Sequence, residues 1–242
     1  MKSLLRSIVK SIPPLYRQYN RFRGWRIHDT EAQIPMVRIG GSGGIHNYGA
    51  WVIPRGLLDR NSIIYSIGIG EDVSFDKQII ETFGCEVFAY DPTPEAVRFV
   101  KSQNIDPRFK FHQVGLSSCD GIVQFVEPSG SDVSFSMLDP DRPPAGKVFE
   151  FPVKRLSTLM SDNNHSHIDL LKMDIEGFEY GVIEDIVSEG IFPTCVILEY
   201  HHFQRKDPDA TNRSVNVLKS AGYTLFWISE LGAEYGFYRT QG

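Results

Sequence analysis

Acidic side chains are concentrated in one segment of the chain, residues 168–179, which reads I-D-L-L-K-M-D-I-E-G-F-E. Its apolar first half predicts a buried strand, which delivers Asp174, Glu176 and Glu179 into a loop and the first turn of a helix. Carboxylates are favoured at a helix N-terminus by about 0.3–1 kcal/mol each, which accounts for one or two of them. Helix capping does not explain why Asp174 closes the strand, so the segment predicts carboxylates at the edge of a sheet where ligands bind.

A second polar group follows a later apolar run, in residues 198–202 (L-E-Y-H-H). Glu199 and His201 share one face of this segment because side chains alternate along an extended strand. Histidine is a candidate proton acceptor because its ordinary pKa lies near neutrality. A lone histidine is also typical of a surface or capping position. As general bases we predict His201, Asp174 and Glu199, in that order.

A short glycine motif lies in residues 63–72 (I-I-Y-S-I-G-I-G-E-D), where an apolar strand runs through Gly68 and Gly70 into a helix. Such a turn lets the backbone approach a ligand closely at the carboxyl ends of the strands. Asp91 ends the next strand, at about the 20-residue spacing of an acid that binds ribose hydroxyls. Capping of the helix that begins near residue 94 is the alternative role for Asp91. Together the glycines and Asp91 predict a nucleoside-binding crevice.

The residues after Gly70 indicate which nucleoside binds. A dinucleotide fingerprint has a third glycine three residues later, where this chain has Val73. Glu71 and Asp72 occupy the start of the helix, where a pyrophosphate needs the positive helix end unopposed. A cationic sulfonium with an ammonium group tolerates these carboxylates far better. We therefore predict S-adenosylmethionine as the cofactor, with an NAD(P)-linked oxidoreductase as the alternative.

Strand-like and helix-like segments alternate through most of the chain, which predicts a mostly parallel sheet with helices on both faces. The last two strands are joined too closely for a crossover helix and should pair antiparallel. The expected fold is a Rossmann-like α/β domain with seven strands and a C-terminal antiparallel hairpin. A D-G turn within 116–126 predicts a further hairpin. The predicted strands cover 63–67, 86–90, 109–114, 167–173, 194–200, 223–228 and 234–238, and the predicted helices cover 72–83, 94–102, 178–188 and 213–220.

The string D-L-L-K-M-D-I-E-G-F-E is similar to the signature that FkbM-family methyltransferases carry around their fourth strand. The resemblance extends through S-I-G-I-G-E-D, F-A-Y-D-P-T-P-E, H-Q-V-G-L-S and V-I-L-E-Y-H, in family order over residues 63–202. It implies a class I methyltransferase that uses S-adenosylmethionine to O-methylate a hydroxyl of a sugar, glycan or other small acceptor. The roles it implies are Gly68 and Gly70 for the methionine portion, Asp91 for the ribose, Gly115 and Leu116 beside the adenine, and Asp174 facing the reaction centre.

One position departs from the family pattern. The family usually has an acid before the first glycine of the motif, and this chain has Ser66 there, which we also predict to contact the cofactor. We then expect Glu71, Asp72 or Asp174 to bind the amino group of the cofactor, or the cofactor to bind weakly. The departure indicates a divergent branch of the family. The alternative function is a non-catalytic module that binds S-adenosylmethionine without turnover.

The spacing of cysteines and histidines contains no metal-ligand motif, and we predict no bound metal. The alternative is a magnesium ion on Asp174, Glu176 and Glu199. The three isolated cysteines are expected to pack as small hydrophobic residues in a reducing cytoplasm. They are Cys85, Cys119 and Cys195.

Charge is unevenly distributed along the chain. Seven Lys or Arg residues precede the first acid, Asp29, and the remainder is acidic in balance, which argues against a nucleic-acid-binding body. We expect a basic N-terminal arm and a glycine-rich loop in residues 1–50 and a methyltransferase domain in 51–242. The arm packs against the domain or makes a peripheral membrane contact, and residues 40–49 are predicted to form a lid. No apolar run reaches the roughly 18 residues that span a bilayer. The oligomeric state is not predicted.

Overall fold

The computed structural model describes residues 28, 30–41, 50–126, 136–137, 146–202, 207 and 209–239. The basic arm, apart from residue 28, lies outside these residues, and so do residues 42–49 of the predicted lid. The strands are β1 (Met36–Ile39), β2 (Trp51–Pro54), β3 (Ile63–Ile67), β4 (Glu86–Tyr90), β5 (Phe109–His112), β6 (Gly115–Leu116), β7 (Gly121–Val126), β8 (Ser136–Met137), β9 (Val148–Lys154), β10 (Leu170–Met173), β11 (Cys195–Glu199), β12 (Thr224–Ile228) and β13 (Glu234–Tyr238). The helices are α1 (Ser74–Phe83), α2 (Pro94–Ser102), α3 (Leu156–Asp162), α4 (Glu179–Ser188) and α5 (Ala210–Ser220).

Seven strands form the central sheet in the order β12-β13-β11-β10-β3-β4-β5. The neighbours from β11 to β5 pair in parallel, whereas β13 pairs antiparallel with both β11 and β12. The predicted mostly parallel sheet with a C-terminal antiparallel hairpin is therefore confirmed. Because the carboxyl ends of β3, β4, β10 and β11 meet at one edge, the loops that follow them lie together.

Both faces of this sheet are covered, as its almost fully buried strands require. Alternate residues of one strand enter two different cores: Tyr65 and Ile67 of β3 belong to one, and Ile64 belongs to the other. Helices α3, α4 and α5 complete the first core, and α1, α2 and the β1–β2 pair complete the second. The antiparallel β1–β2 pair was not predicted, so a strand of the fold precedes position 51.

A second sheet has the strand order β6-β9-β7-β8. The predicted hairpin within 116–126 is wrong because β9 lies between β6 and β7 and pairs with both. Strand β9 pairs with β7 along the whole of Gly121–Val126. Strand β6 has only two residues and could form far fewer backbone hydrogen bonds with β7. Ring contacts stabilise this arrangement of β7 and β9. The ring centroid of Phe125 lies 5.3 Å from that of Phe151 and 5.1 Å from that of Phe178. Neither β9 nor α3 was predicted from the sequence.

The cysteines are free, and two of the three follow the expectation from the sequence. Cys85 and Cys195 are buried as predicted, whereas Cys119 is exposed in the turn between β6 and β7. The expectation that all three pack as small hydrophobic residues is wrong for Cys119, because that turn lies outside the core. Within the described residues, every helix is too short or too polar to cross a membrane.

Candidate functional site

The glycine loop after β3 and the acidic loop after β10 touch through their backbones. Gly68 has φ +74°, and a Cβ built on it would lie only 1.7 Å from the backbone oxygen of Asp174. The amide of Asp174 donates a hydrogen bond to the carbonyl of Ile67 at 3.0 Å. Only glycine satisfies both the left-handed backbone and this close approach. The loop expected to hold the cofactor therefore lies directly beside the acidic loop.

Asp91, the candidate ribose-binding acid, closes the crevice from β4 and is 5% exposed. Its Oδ2 accepts a hydrogen bond from the amide of Gly70 at 2.9 Å. Its Oδ1 accepts from the amide of Thr93 at 2.9 Å and from the Thr93 hydroxyl at 2.6 Å. Thr93 caps α2 by accepting from the amide of Ala96, so the capping role considered for Asp91 belongs to Thr93. Oδ2 of Asp91, which accepts only one of these bonds, still has capacity to accept a ribose hydroxyl.

A buried lysine of β10 is hydrogen-bonded to the backbone of the glycine loop. Lys172 is 6% exposed, and its Nζ donates to the carbonyl of Gly68 at 3.1 Å while lying 5.2 Å from the ring centroid of Trp51. Lys172 was not predicted as a site residue. Its position inside an apolar strand was a usable signal, because lysine is almost never fully buried unless its charge is paired.

Ser66, which stands where the family usually has an acid, is fully buried on β3. Its neighbour is Asp76 of α1, which is 1% exposed and interacts with both Ser66 and Lys172. Burial raises the pKa of Asp76, and the positive charge of Lys172 opposes this. A carboxylate from the following helix thus accompanies Lys172 in place of one at position 66. The side chain of Ser66 lies within the core, so its predicted contact with the cofactor stays a prediction.

Three carboxylates surround one buried imidazole at the carboxyl ends of β10 and β11. His201 is 8% exposed. Its Nδ1 lies 2.7 Å from Glu179 Oε1, and its Nε2 lies 3.2 Å from Glu176 Oε2 and 3.7 Å from Asp174 Oδ1. The acidic segment and the His201 segment, predicted separately from the sequence, therefore form one cluster. We call Asp174, Glu176, Glu179 and His201 the acidic cluster.

The loop that carries these acids is organised around the fully buried Glu179. Glu179 Oε1 accepts from the amides of Ile175 at 3.3 Å and Gly177 at 3.1 Å. Glu176 has φ +53°, a left-handed conformation that costs a non-glycine residue about 1–3 kcal/mol. The bonds to Glu179 hold this conformation, which turns Glu176 towards His201.

The acidic cluster alters the ionisation of its members. Burial lowers the pKa of His201, but the hydrogen bonds with Glu176 and Glu179 outweigh it and raise the pKa to about 12. Both ring nitrogens therefore carry protons at neutral pH and donate to carboxylates. The prediction that His201 is the first-choice general base assumed a pKa near neutrality, which this environment does not provide.

The two other predicted bases lie in the same electrostatic environment. Burial raises the pKa of Asp174 to about 6; Lys172 and His201 oppose this, and the neighbouring acids reinforce it. Burial and repulsion from Asp174 and Glu234 raise the pKa of Glu199 well above its usual range. A cationic ligand in the crevice would favour the charged form of both groups, because a nearby positive charge lowers the pKa of a carboxyl group.

A family model described as the methyltransferase FkbM domain matches residues 68–225, more than half of the chain. The chain belongs to the FkbM methyltransferase family. The resemblance identified in residues 63–202 is confirmed, and the seven-stranded sheet is the Rossmann-like class I methyltransferase fold. The matched region contains the glycine loop, Asp91 and the whole acidic cluster.

The relatives of this FkbM-family chain include the human protein described as probable methyltransferase-like protein 24. It is 24% identical over 178 residues, which cover 72% of this chain and 40% of the human protein. The rat protein of the same description is 24% identical over 171 residues, covering 69% of this chain and 39% of the rat protein. The chain therefore spans about two fifths of the length of these relatives.

Solved structures similar to this chain include the methyltransferase FkbM from Methylobacillus flagellatus KT, with a TM-score of 0.46 and 14% identity over 75% of this chain and 44% of that one. Fibrillarin from Aeropyrum pernix, solved with natively bound S-adenosyl-L-methionine, has a TM-score of 0.45 and 10% identity over 78% of this chain and 70% of that one.

The remaining predicted cofactor residues of this FkbM-family domain lie around the same edge. Glu71 and Asp72 are exposed before α1, and Asp72 Oδ1 accepts from the amide of Ser74 at 2.8 Å. Gly115 is buried, and a Cβ there would lie 3.3 Å from Pro92, the residue after Asp91. Leu116 is 3% exposed and belongs to the core, so contact with an adenine stays a prediction for both.

The start of the predicted lid also reaches this edge. The amide of Gly40 donates to Gln78 Oε1 at 2.6 Å, and the amide of Gly41 donates to Ser74 Oγ at 3.3 Å. These bonds anchor the described end of the glycine-rich loop on α1. The rest of the predicted lid, residues 42–49, lies outside the described residues, so its closure over the site stays a prediction.

Proposed function

We propose that the protein is an S-adenosylmethionine-dependent O-methyltransferase that acts on a hydroxyl of a sugar, glycan or other small acceptor. The observation that carries this proposal is the backbone contact between Gly68 and Asp174. It joins the loop expected to hold the cofactor to a crevice lined by carboxylates. Carboxylates are suited to orient hydroxyl groups and to accept a proton from one.

S-adenosylmethionine supplies the activated methyl group, and its sulfonium is favoured by the negative charge of the crevice. The acceptor oxygen attacks the methyl carbon while the carbon–sulfur bond breaks. The electron pair stays on sulfur, which leaves neutral S-adenosylhomocysteine, and the hydroxyl proton passes to a carboxylate. Alignment of the two reactants contributes up to about 7–11 kcal/mol in ideal cases.

The proton acceptor that we propose is Asp174 or Glu199 rather than His201. Both nitrogens of His201 already donate to carboxylates, so the imidazole has no lone pair for the acceptor's proton. Its task is to hold Glu176 and Glu179 in position. The Asp174 side chain is 33% exposed, which leaves it open to a bound acceptor. A positioned base contributes about 10²–10⁴-fold to the rate.

Two measurements test this function. Calorimetry with S-adenosylmethionine and with NAD should give binding of the first alone, and binding of NAD alone would favour an oxidoreductase. Transfer of labelled methyl from S-adenosylmethionine should then be assayed on monosaccharides, oligosaccharides and small alcohols, with RNA and DNA as contrasting acceptors. Methylation of a hydroxyl in the first group supports the proposal. Binding without transfer to any acceptor would favour a non-catalytic module, and transfer to nucleic acid alone would contradict the acceptor class.

The acceptor is the partner that this function requires, and the acidic balance of the chain beyond residue 28 disfavours nucleic acid in that role. We propose that the protein works in a reducing compartment such as the cytoplasm, because its three cysteines are free. For the basic N-terminal arm, the sequence leaves two proposals open, packing on the domain and contact with a membrane surface. Sedimentation with anionic lipid vesicles, compared between the full chain and one with the arm's bases neutralised, distinguishes the two.

A further inference from the structure

Three ligand atoms of two chemical kinds converge within the acidic cluster. Asp174 and Glu176 come from the loop after β10, His201 comes from the end of β11, and one ligand atom from each lies within 4.8 Å of the others. His201 Nε2 is 3.2 Å from Glu176 Oε2 and 3.7 Å from Asp174 Oδ1. Ligand atoms held about 2.0–2.2 Å from one cation are separated by about 3–4 Å. The three donors thus have the spacing of a coordination site.

The surroundings of His201 also match those of a metal ligand. Its other nitrogen, Nδ1, is hydrogen-bonded to the fully buried Glu179 at 2.7 Å. A carboxylate in this position fixes the ring orientation and directs Nε2 at the metal, as in carboxylate–histidine–metal arrangements. The second oxygen of Glu179, Oε2, is buried and has no hydrogen-bond partner among the described residues. A water bound to a cation in the cluster would give this acceptor a donor.

The net charge gives a reason for a cation to bind. The carboxyl groups of Asp174, Glu176 and Glu179 all lie within 4 Å of the ring nitrogens of His201, in a largely buried crevice. A buried carboxylate without a compensating charge is costly, and the acids here outnumber the single imidazole that they contact. A divalent cation in place of the Nε2 proton would add positive charge at the point where these groups converge.

We propose that Asp174, Glu176 and His201 bind one divalent cation of the Mn²⁺ type, with Glu179 as the residue that orients His201. Two carboxylates suit Mg²⁺ and Mn²⁺, and the imidazole suits transition metals, so Mn²⁺ satisfies both kinds of donor. The magnesium alternative drawn from the sequence used Glu199, and the structure brings His201 to the three-ligand group instead.

The role of the cation rests on the proposed methyl transfer. Three protein ligands leave open positions for solvent or an acceptor hydroxyl, because Mn²⁺ ordinarily takes more than three ligands. A hydroxyl bound to a divalent cation loses its proton more readily. Glu199, which contributes no ligand atom to the three-residue group, is then available to receive that proton.

The test is a titration of the full chain, freed of metal by a chelator, with Mn²⁺ followed by electron paramagnetic resonance and without S-adenosylmethionine. We expect one saturable site per chain, from which Mg²⁺ or Zn²⁺ displaces the Mn²⁺. Glu176→Gln, which keeps the shape of the side chain, should weaken Mn²⁺ binding at least tenfold, and His201→Gln should do the same. Glu179→Gln should weaken it about 10–100-fold, as expected for a residue that orients a ligand.

Glu81→Gln, an exposed acid of α1 outside the crevice, is the matched control and should bind Mn²⁺ like the parent chain. Thermal unfolding identifies variants that fail to fold. If buried His201 does not tolerate substitution, Glu176→Gln decides, because that side chain is 21% exposed. The absence of a saturable site up to millimolar Mn²⁺ would overturn the proposal, and so would parent-like binding by Glu176→Gln.

The experiments distinguish a failure of the cation proposal from a failure of the methyltransferase proposal. If S-adenosylmethionine binds and methyl transfer proceeds at an unchanged rate in excess chelator, the cation has no role in the reaction and the methyltransferase proposal stands. If Mn²⁺ binds at the cluster but S-adenosylmethionine does not bind, the cation site is supported and the methyltransferase proposal fails.

Discussion

Gly68 and Asp174 are in backbone contact across two adjacent parallel strands, so the glycine loop and the acidic cluster cannot shift independently. Strand β3 pairs with β10 in the register Ile67–Met173, and each of the two residues follows its strand directly. A displacement of one loop must therefore move the other. We therefore expect the position of a bound cofactor and that of a bound acceptor to be coupled through this contact.

Gly68→Ala should destabilise the fold and abolish cofactor binding. The new Cβ would overlap the Asp174 carbonyl and force alanine into φ +74°, so the free energy of unfolding should fall by more than about 1 kcal/mol. Gly56→Ala is the matched control, because Gly56 has φ +79° with no atom within 4 Å of a built Cβ. Urea denaturation compares the two variants. An equal cost at both positions would mean that backbone conformation, and not the contact with Asp174, dominates.

Asp91→Ala should weaken S-adenosylmethionine binding by tenfold or more. The substitution removes charge-assisted hydrogen bonds worth about 1.5–3 kcal/mol each, both to the ribose and to the amide of Gly70. Thr93→Val is the control, since it keeps the Asp91 carboxylate and removes the hydroxyl that donates to Asp91 and caps α2. Calorimetric titration of folded protein gives both affinities. Unchanged affinity in Asp91→Ala would exclude the ribose assignment.

Replacement of buried Asp76 should change how stability depends on pH. Burial raises the pKa of Asp76 in the folded state above its ordinary 3.8, so the unfolded chain releases this proton at lower pH than the folded chain. The parent therefore loses stability relative to Asp76→Asn as pH rises from about 3.8 towards the folded-state pKa. Denaturation of both proteins between pH 3.5 and 8 measures the difference. A constant difference across this range would show that Asp76 ionises equally in both states.

Asp174→Asn and Glu199→Gln should separate proton removal from cofactor positioning. The variant that loses the proton acceptor should slow methyl transfer by about 10²–10⁴-fold in single-turnover assays at saturating cofactor, with cofactor affinity unchanged. A loss of both rate and affinity in Asp174→Asn would assign Asp174 to cofactor orientation and leave the proton to Glu199. Full activity in both variants would exclude both carboxylates as the proton acceptor.

Several elements follow from local sequence alone. The predicted strands 63–67 and 86–90 and the helix 94–102 have the same bounds as β3, β4 and α2. Their limits are set by short-range signals: β-branched and apolar runs for the strands, and Thr93 with Pro94 at the start of α2. The antiparallel end of the sheet was also predictable, because too few residues connect β12 and β13 for a crossover.

The amino-acid sequence by itself determined the order of the seven strands of the central sheet and of the helices α1, α2, α4 and α5, the family, and the positions of Asp91, Asp174 and Glu199 at the ends of their strands. Only the tertiary structure decided the contacts between residues distant in the chain. It inserted β9 between β6 and β7, it brought Asp76 to Lys172, and it enclosed His201 between Glu176 and Glu179. The physical reason is that strand pairing, burial and pKa depend on which groups meet across the fold, and residue type and spacing do not specify those distances.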